Sequence, residues 1–198
     1  MNILAIESSS TICGVALFLN SQLKELDEIN QPRIHGQRLP VIINNVLNNQ
    51  AININKLDAI AISSGPGSYT GLRIGMNLAR GLAASGTIPI IPVPTLSAMN
   101  INIKKKGIYW IMLHSHKNQF YVQRFNSGKP DSEITIETFQ SQEHKHIYGF
   151  NLEKYCDSYI LTSPSAKAVG ILAIQNFHSW IEHDIDIISP NYVKNYNL

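Results

Sequence analysis

Cysteine is nearly absent from this chain of 198 residues: Cys13 and Cys156 are the only two, far apart and without Cys-x-x-Cys spacing. That excludes a disulfide framework and a structural zinc site as the basis of the fold, and it fits a reducing cytoplasm. Long apolar runs are also missing, since none approaches the roughly 20 residues that span a bilayer, and no membrane role is expected. The opening Met-Asn-Ile-Leu-Ala-Ile-Glu has no basic start and is interrupted by Glu7, so it reads as a strand and not as a secretory signal. Charge of one sign is scarce: 16 Lys and Arg against 14 Asp and Glu leave +2. That is too little to announce nucleic-acid binding, and Lys104 to Lys106 before Gly107 read as a solvated loop. Neither common phosphate loop is present, because no Gly-Lys-Ser/Thr ending exists and no Gly-x-Gly-x-x-Gly stands in its usual setting. His114 with His116 and His144 with His146 are two apart, a spacing that aims both rings one way on a strand. Their Lys, Gln and Glu neighbours make them polar loop tips, and no metal is expected.

What is present is 44% hydrophobic residues in strand and helix patterns. At this length a chain buries roughly 70% of its unfolded surface. Asn2 to Glu7, Cys13 to Asn20 and Gln22 to Ile29 read as three strands in hairpin order, the third more polar and at an edge. Leu39, Ile42, Ile43, Val46 and Leu47 then recur at helical spacing, with asparagines on the other face and Pro40 expected in the first turn. Leu57 to Ser63 reads as a buried strand, about Gly71 to Ser85 as a helix, and Ile88 to Val93 as an edge or irregular strand. This order is that of the ribonuclease-H-like, actin-like ATPase fold, an α/β class. After Asn102 the character changes. Strands are expected at Ile108 to Leu113, Phe120 to Phe125, Ile134 to Ile136 and Tyr159 to Leu161, with a helix from about Ser165 to Asn176. We therefore expect two lobes, residues 1–102 and a smaller α/β lobe of residues 103–198.

The most informative stretch is Gly65-Pro66-Gly67-Ser68-Tyr69-Thr70-Gly71-Leu72-Arg73-Ile74-Gly75, between a strand and a helix. Gly65 and Gly67 can take positive φ, and Ser68 or Thr70 can cap the helix. A helix N-terminus opened by glycines can hold an anion, and a tight turn with no ligand explains the residues equally well. Gly71, Gly75, Ala79 and Ala83 make one side of that helix bare, while Leu72, Met76 and Leu82 form a bulkier apolar side. A glycine inside a helix costs up to about 1 kcal/mol relative to alanine, so two of them imply close packing.

This motif resembles the hallmark of the TsaB family, also called YeaZ. Ile3-Leu4-Ala5-Ile6, Leu57-Asp58-Ala59-Ile60-Ala61, Gly81-Leu82-Ala83, Ile88-Pro89, Thr95-Leu96 and Pro190-Asn191-Tyr192-Val193-Lys194-Asn195 follow in family order. The resemblance implies a two-lobed actin-like fold without chemistry of its own. It implies a partner subunit that binds and activates a TsaD-type transferase, which modifies the adenosine beside the tRNA anticodon to threonylcarbamoyladenosine. A TsaE-type ATPase joins the larger complex, tRNA is met only through that complex, and self-association uses the same surface. ATP belongs to the pathway, and a nucleotide at the shared interface is compatible with the resemblance. Carried onto this chain, the interface comprises Leu39, Ile42, Ile43 and Val46 of one helix with Gly65, Pro66, Gly67, Ser68, Tyr69, Thr70, Gly71, Leu72, Arg73, Gly75, Met76 and Ala79 of the motif and its helix.

Two departures matter. Glu7-Ser8-Ser9 stands where the family has Asp-Thr-Ser, a vestigial phosphate site with its carboxylate one methylene further out. His35-Gly36-Gln37-Arg38-Leu39-Pro40 is one residue shorter than the family segment, equivalent to about 100° of helix rotation. The enzyme-class rival is an ATP-hydrolysing or kinase-like protein using Glu7 and the Ser68/Thr70 helix start. Arg73 suits a nucleotide phosphate or a partner carboxylate, and a solvent-facing arginine explains it equally well.

Overall fold

Alternate residues of the first strands go to opposite faces of one sheet, and that alternation builds the first lobe. β1 (Ile3–Glu7), β2 (Ile12–Leu19) and β3 (Gln22–Asn30) are antiparallel neighbours. β4 (Ala59–Gly65) runs parallel to β1 and β5 (Ile90–Pro94) parallel to β4, giving the order β3-β2-β1-β4-β5. The polar strand and the proline-bearing strand thus occupy the two edges. The computed structural model describes residues 1–138 and 145–193; His144, Lys194 and Asn195 lie outside them.

One face of this sheet presents Leu4, Ile6, Val15, Leu17, Ile60 and Ile62 to α1 (His35–Asn49) and α2 (Tyr69–Gly86). Leu39, Ile42, Ile43 and Val46 are the buried stripe of α1, as their spacing predicts. Pro40 differs from expectation: it is the sixth residue of α1 and not part of its first turn, because the helix begins at His35. Its ring removes the N–H that would reach Gly36, and it sits on the exposed side, where that gap meets solvent.

α3 (Thr95–Asn100) leads from β5 to the second lobe. That lobe is a sheet of β6 (Ile108–His114), β7 (Gln119–Asn126), β8 (Lys129–Pro130), β9 (Thr135–Thr138), β10 (Ile147–Phe150) and β11 (Ile160–Leu161). Its order is β11-β10-β6-β7-β8, with β9 also on β7. Leu96 and Met99 of the first lobe pack with Tyr109, Ile111, Leu113 and Phe125 of the second in one shared core. A polar link crosses the same junction: Tyr109 donates to Asn100 Oδ1 at 2.6 Å, and Asn100 Nδ2 donates to Gly128 O at 2.8 Å.

The C-terminal quarter departs from the expected division at 102/103. α4 (Ala166–Gln175) packs against Ile3, Ala5, Ala16 and Phe18, on the first sheet's other face, and α5 (Phe177–Trp180) follows it there. Beyond α5 the chain bridges the open edge of β5, with Ile90 and Glu182 exchanging backbone hydrogen bonds. It then buries Ile188 in the α1/α2 core. The second sheet begins at Ile108 as expected, but residues 166–193 belong to the first lobe. The physical reason is that the first sheet has two apolar faces, and α1 with α2 cover only one. Among the described residues, no helix is long and apolar enough to cross a membrane.

Candidate functional site

β1 ends at Glu7, on the strand face opposite α1 and α2, and the β1–β2 turn follows. Glu7 Oε1 accepts from the backbone N–H of Ser9 at 2.6 Å and from the Ser9 hydroxyl at 2.5 Å. Oε2 has no hydrogen-bond partner among the described residues. The side chain is wholly buried, and burial pushes its carboxyl up to about 7, against the opposing pull of the Ser9 hydrogen bonds and with a smaller push from Glu28. Glu28 lies on β3 with Gly14 between them in the strand register, and its Oε1 accepts the Ala166 N–H at the start of α4.

The glycine motif closes over the turn that follows Glu7. Of the two candidate caps, Ser68 is the one used: its hydroxyl accepts the N–H of Gly71 at 3.2 Å, and its own N–H reaches Ser9 O at 2.7 Å. α2 therefore starts directly on the β1–β2 turn. A Cβ built on Gly67 would lie 2.2 Å from Ser9 O, one on Gly71 2.2 Å from Ser8 O, and one on Gly75 2.1 Å from Ser8 Oγ. Three glycines let the helix lie against the turn that the notional phosphate site would need. Gly65 has φ +109, and Asn191 N–H donates to Ser64 O at 2.6 Å, so the last described residues strap the loop from outside.

This corrects the expected interface. Leu39, Ile42, Ile43, Val46, Gly71, Leu72, Gly75, Met76 and Ala79 are buried in the chain's own core. Gly65, Pro66 and Gly67 are buried as well. The bare stripe of α2 meets Ser8 and Ile62, and no surface is left there for a partner helix. Helical spacing identifies a buried stripe but not the object that buries it, and here the sheet does so. What remains exposed from the motif is Ser68, Tyr69, Thr70 and Arg73, with Gln37, Arg38, Val41, Asn44 and Asn45 on α1. Tyr192, which spacing did not assign to the site, closes this surface: Arg73 Nε donates to its hydroxyl at 2.9 Å.

Beside the exposed N-termini of α1 and α2 lies a cleft between the lobes, a cavity of about 570 Å³. Ser9, Ser10, Thr11, Ser68, Thr70 and Ser115 supply hydroxyls, and Arg33, His35 and His114 line it too. Among the described residues no carboxylate lines it. His35 is buried with Nε2 at 3.0 Å from Ile12 O, and His114 stacks on Tyr155 with Nε2 at 2.8 Å from Lys117 O. Glu7 and Ser8 do not line the cleft, so three residues expected together, Glu7, Ser8 and Ser9, are divided by the turn. Among the described residues no group of three or more His, Cys, Asp or Glu is placed to hold a metal ion.

Comparison with known proteins bears on this geometry. Residues 29–154 match the family described as TsaD: tRNA N6-adenosine threonylcarbamoyltransferase. A protein of Haemophilus influenzae named "tRNA threonylcarbamoyladenosine biosynthesis protein TsaB" is 37% identical over 99 residues, half of this chain. The chain belongs to the TsaB (YeaZ) family. A TsaB protein of Buchnera aphidicola subsp. Acyrthosiphon pisum is 29% identical over 154 residues, 70% of this chain and 69% of that protein. The match to the Haemophilus protein spans only 42% of that relative's length. The solved structure of YeaZ from Pseudomonas aeruginosa superposes with a TM-score of 0.77 over 97% of this chain and 99% of that one. At 18% identity this shows a shared fold, the two-lobed actin-like α/β architecture.

Proposed function

We propose that this chain is the non-catalytic subunit that binds and activates a TsaD-type transferase in making threonylcarbamoyladenosine next to the tRNA anticodon. In this reading it works in the cytoplasm, joins an assembly that includes a TsaE-type ATPase, and meets tRNA only through that assembly. The observation that carries the reading is the burial of Glu7. The acid at the end of β1 would have to face a metal–phosphate group in an ATPase, yet it is wholly enclosed and lies outside the cleft. The ATP-hydrolysing alternative would need Glu7 to open towards the cleft. The names of the relatives in the biosynthetic pathway support the same reading.

The cleft supports one addition: its hydroxyls and Arg33, with no carboxylate among the described lining residues, suit an anion, so a nucleotide at or beside the shared interface fits there. The test is formation of threonylcarbamoyladenosine on a tRNA by the TsaD-type and TsaE-type subunits, read as modified nucleoside, with and without this chain. Modification that depends on the chain supports the accessory role. Equal modification without it, or ATP hydrolysis by the chain alone, overturns that role.

A further inference from the structure

The loop between α3 and β6 carries Lys104, Lys105 and Lys106, which the sequence alone marks only as solvated. The fold gives that loop a fixed place. At one end, Ile103 N–H donates to Asn100 O at 2.9 Å. At the other, Gly107 is tied to the β7–β8 turn: Ser127 N–H donates to Gly107 O, and Gly107 N–H to Ser127 Oγ, both at 3.0 Å. Gly107 has φ +78, which lets the chain double back onto the turn, and Asn100 Nδ2 holds the same turn at Gly128 O. Lys129, the first residue of β8, pairs with Asn126, and Asn126 pairs with Ile108 at the foot of β6. Three lysines of a loop and one of a hairpin are thereby gathered at a single end of the second sheet. Lys145, two residues before β10, extends the row on the other side of β6, since Ile147 pairs with Trp110.

Lys104, Lys106 and Lys129 are exposed and Lys105 is half-buried. None of these four ammonium groups has a hydrogen-bond or ion-pair partner among the described residues. The chain has no Asp or Glu between Asp58 and Asp131, and Asp131 is occupied by Arg124, whose Nε lies 2.9 Å from its Oδ2. The net charge of +2 understates this end of the molecule, because it averages in acids placed elsewhere, such as Glu25, Asp27 and Glu28 on β3. β6 runs from the lysines to His114 in the cleft lining, and seven residues of strand span about 20 Å, so the patch is separate from the cleft. Lysine is depleted at protein–protein contacts, whereas unpaired point charges suit a run of phosphates, each of which releases a counterion. We infer that Lys104, Lys105, Lys106 and Lys129 hold the phosphate backbone of the tRNA, without reading its bases, once this chain is in its assembly. Four such contacts give the lone chain little affinity and add to the hold that the assembly has on the same RNA. The inference rests on the partner-subunit reading and adds a direct contact with RNA.

The test is the affinity of the mixed complex of this chain and the TsaD-type subunit for an unmodified tRNA transcript, measured by fluorescence anisotropy across salt concentrations. Light scattering on the same samples reports whether the mixed complex forms. Replacing Lys104, Lys105, Lys106 and Lys129 together by Gln should weaken tRNA binding by about 100-fold at about 50 mM salt and by about 2-fold at about 200 mM, because four phosphate contacts supply about 3 of the slope of log K against log salt. The control replaces Lys24, Lys56, Lys154 and Lys167, all exposed and away from the patch, by Gln. Both sets remove four charges, from +2 to −2, so the control should bind tRNA as the wild type does if place and not net charge matters. An unchanged affinity and slope in the patch variant overturns the inference and leaves the partner reading standing. Equal losses in both variants also overturn it. A patch variant that no longer joins the TsaD-type subunit assigns the lysines to a protein contact and overturns it as well. No mixed complex with the wild type overturns the inference and the partner reading together.

Discussion

Alanine placed at two glycines of α2 should change stability in opposite directions. At Gly71 the new methyl carbon falls 2.2 Å from the carbonyl oxygen of Ser8. Carbon–oxygen contacts between packed backbones settle at about 3.3–3.6 Å, so helix or turn must give by about 1 Å. The obstacle is backbone, which has no rotamer to escape into. Overpacking costs typically about 1–3 kcal/mol, and a backbone clash this close belongs at the upper end; with helix propensity returning at most about 1 kcal/mol, the net loss is about 2 kcal/mol. For a chain of this size that lowers Tm by about 4–8 °C. At Gly81 a Cβ meets nothing within 4 Å, on the exposed side of the same helix. Gly81→Ala should therefore gain about 0.5–1 kcal/mol and raise Tm by a few degrees. Thermal melting by circular dichroism, backed by urea titration, decides the matter. A Gly71→Ala protein that melts at or above the wild type would refute the claim that the motif glycines seat α2 on the turn.

Glu7 should leave a signature in stability against pH. Its carboxyl is near 7 when folded and near 4.5 when unfolded, so the folded chain keeps a proton that the unfolded chain releases between those values. This contribution is complete below about 4.5, declines as pH rises, and is gone above about 7, a span of about 3 kcal/mol. Urea titrations of wild type and Glu7→Gln should diverge by that amount across the window, whereas parallel curves would show that Glu7 ionises normally. Tyr109→Phe should cost about 1–2 kcal/mol by leaving the buried Asn100 Oδ1 without its donor. An unchanged urea midpoint would mean that the link between the lobes contributes nothing.

Much of the first lobe is written in local pattern. The 3.6 periodicity of Leu39, Ile42, Ile43 and Val46, the alternation in β1 and β2, and the glycine motif between β4 and α2 each fix an element within a few residues. Their mutual placement is not local. Gly71 and Gly75 are shaped by Ser8, more than sixty residues earlier, and no spacing rule reports that contact. The bare stripe by itself favours internal packing, and only the family resemblance made it look like a docking face; it is an internal seam. α4 reads as one more apolar helix, and nothing in Ala166 to Gln175 says which sheet it covers. Tyr192 meets Arg73 across 119 residues, and the one signal available was the run Pro190-Asn191-Tyr192-Val193 recurring in family order. β10 and the short helices α3 and α5 gave no periodic signal, since four to six residues complete too few turns or alternations.

The central claim is that this chain acts through a protein partner and not through chemistry of its own. Light scattering on a sizing column, with the chain alone and mixed with the TsaD-type subunit, tests it most directly. The account predicts a mixed complex with the summed mass of the two subunits, formed without added nucleotide. Two separate peaks at every concentration, with or without ATP and magnesium, would contradict it.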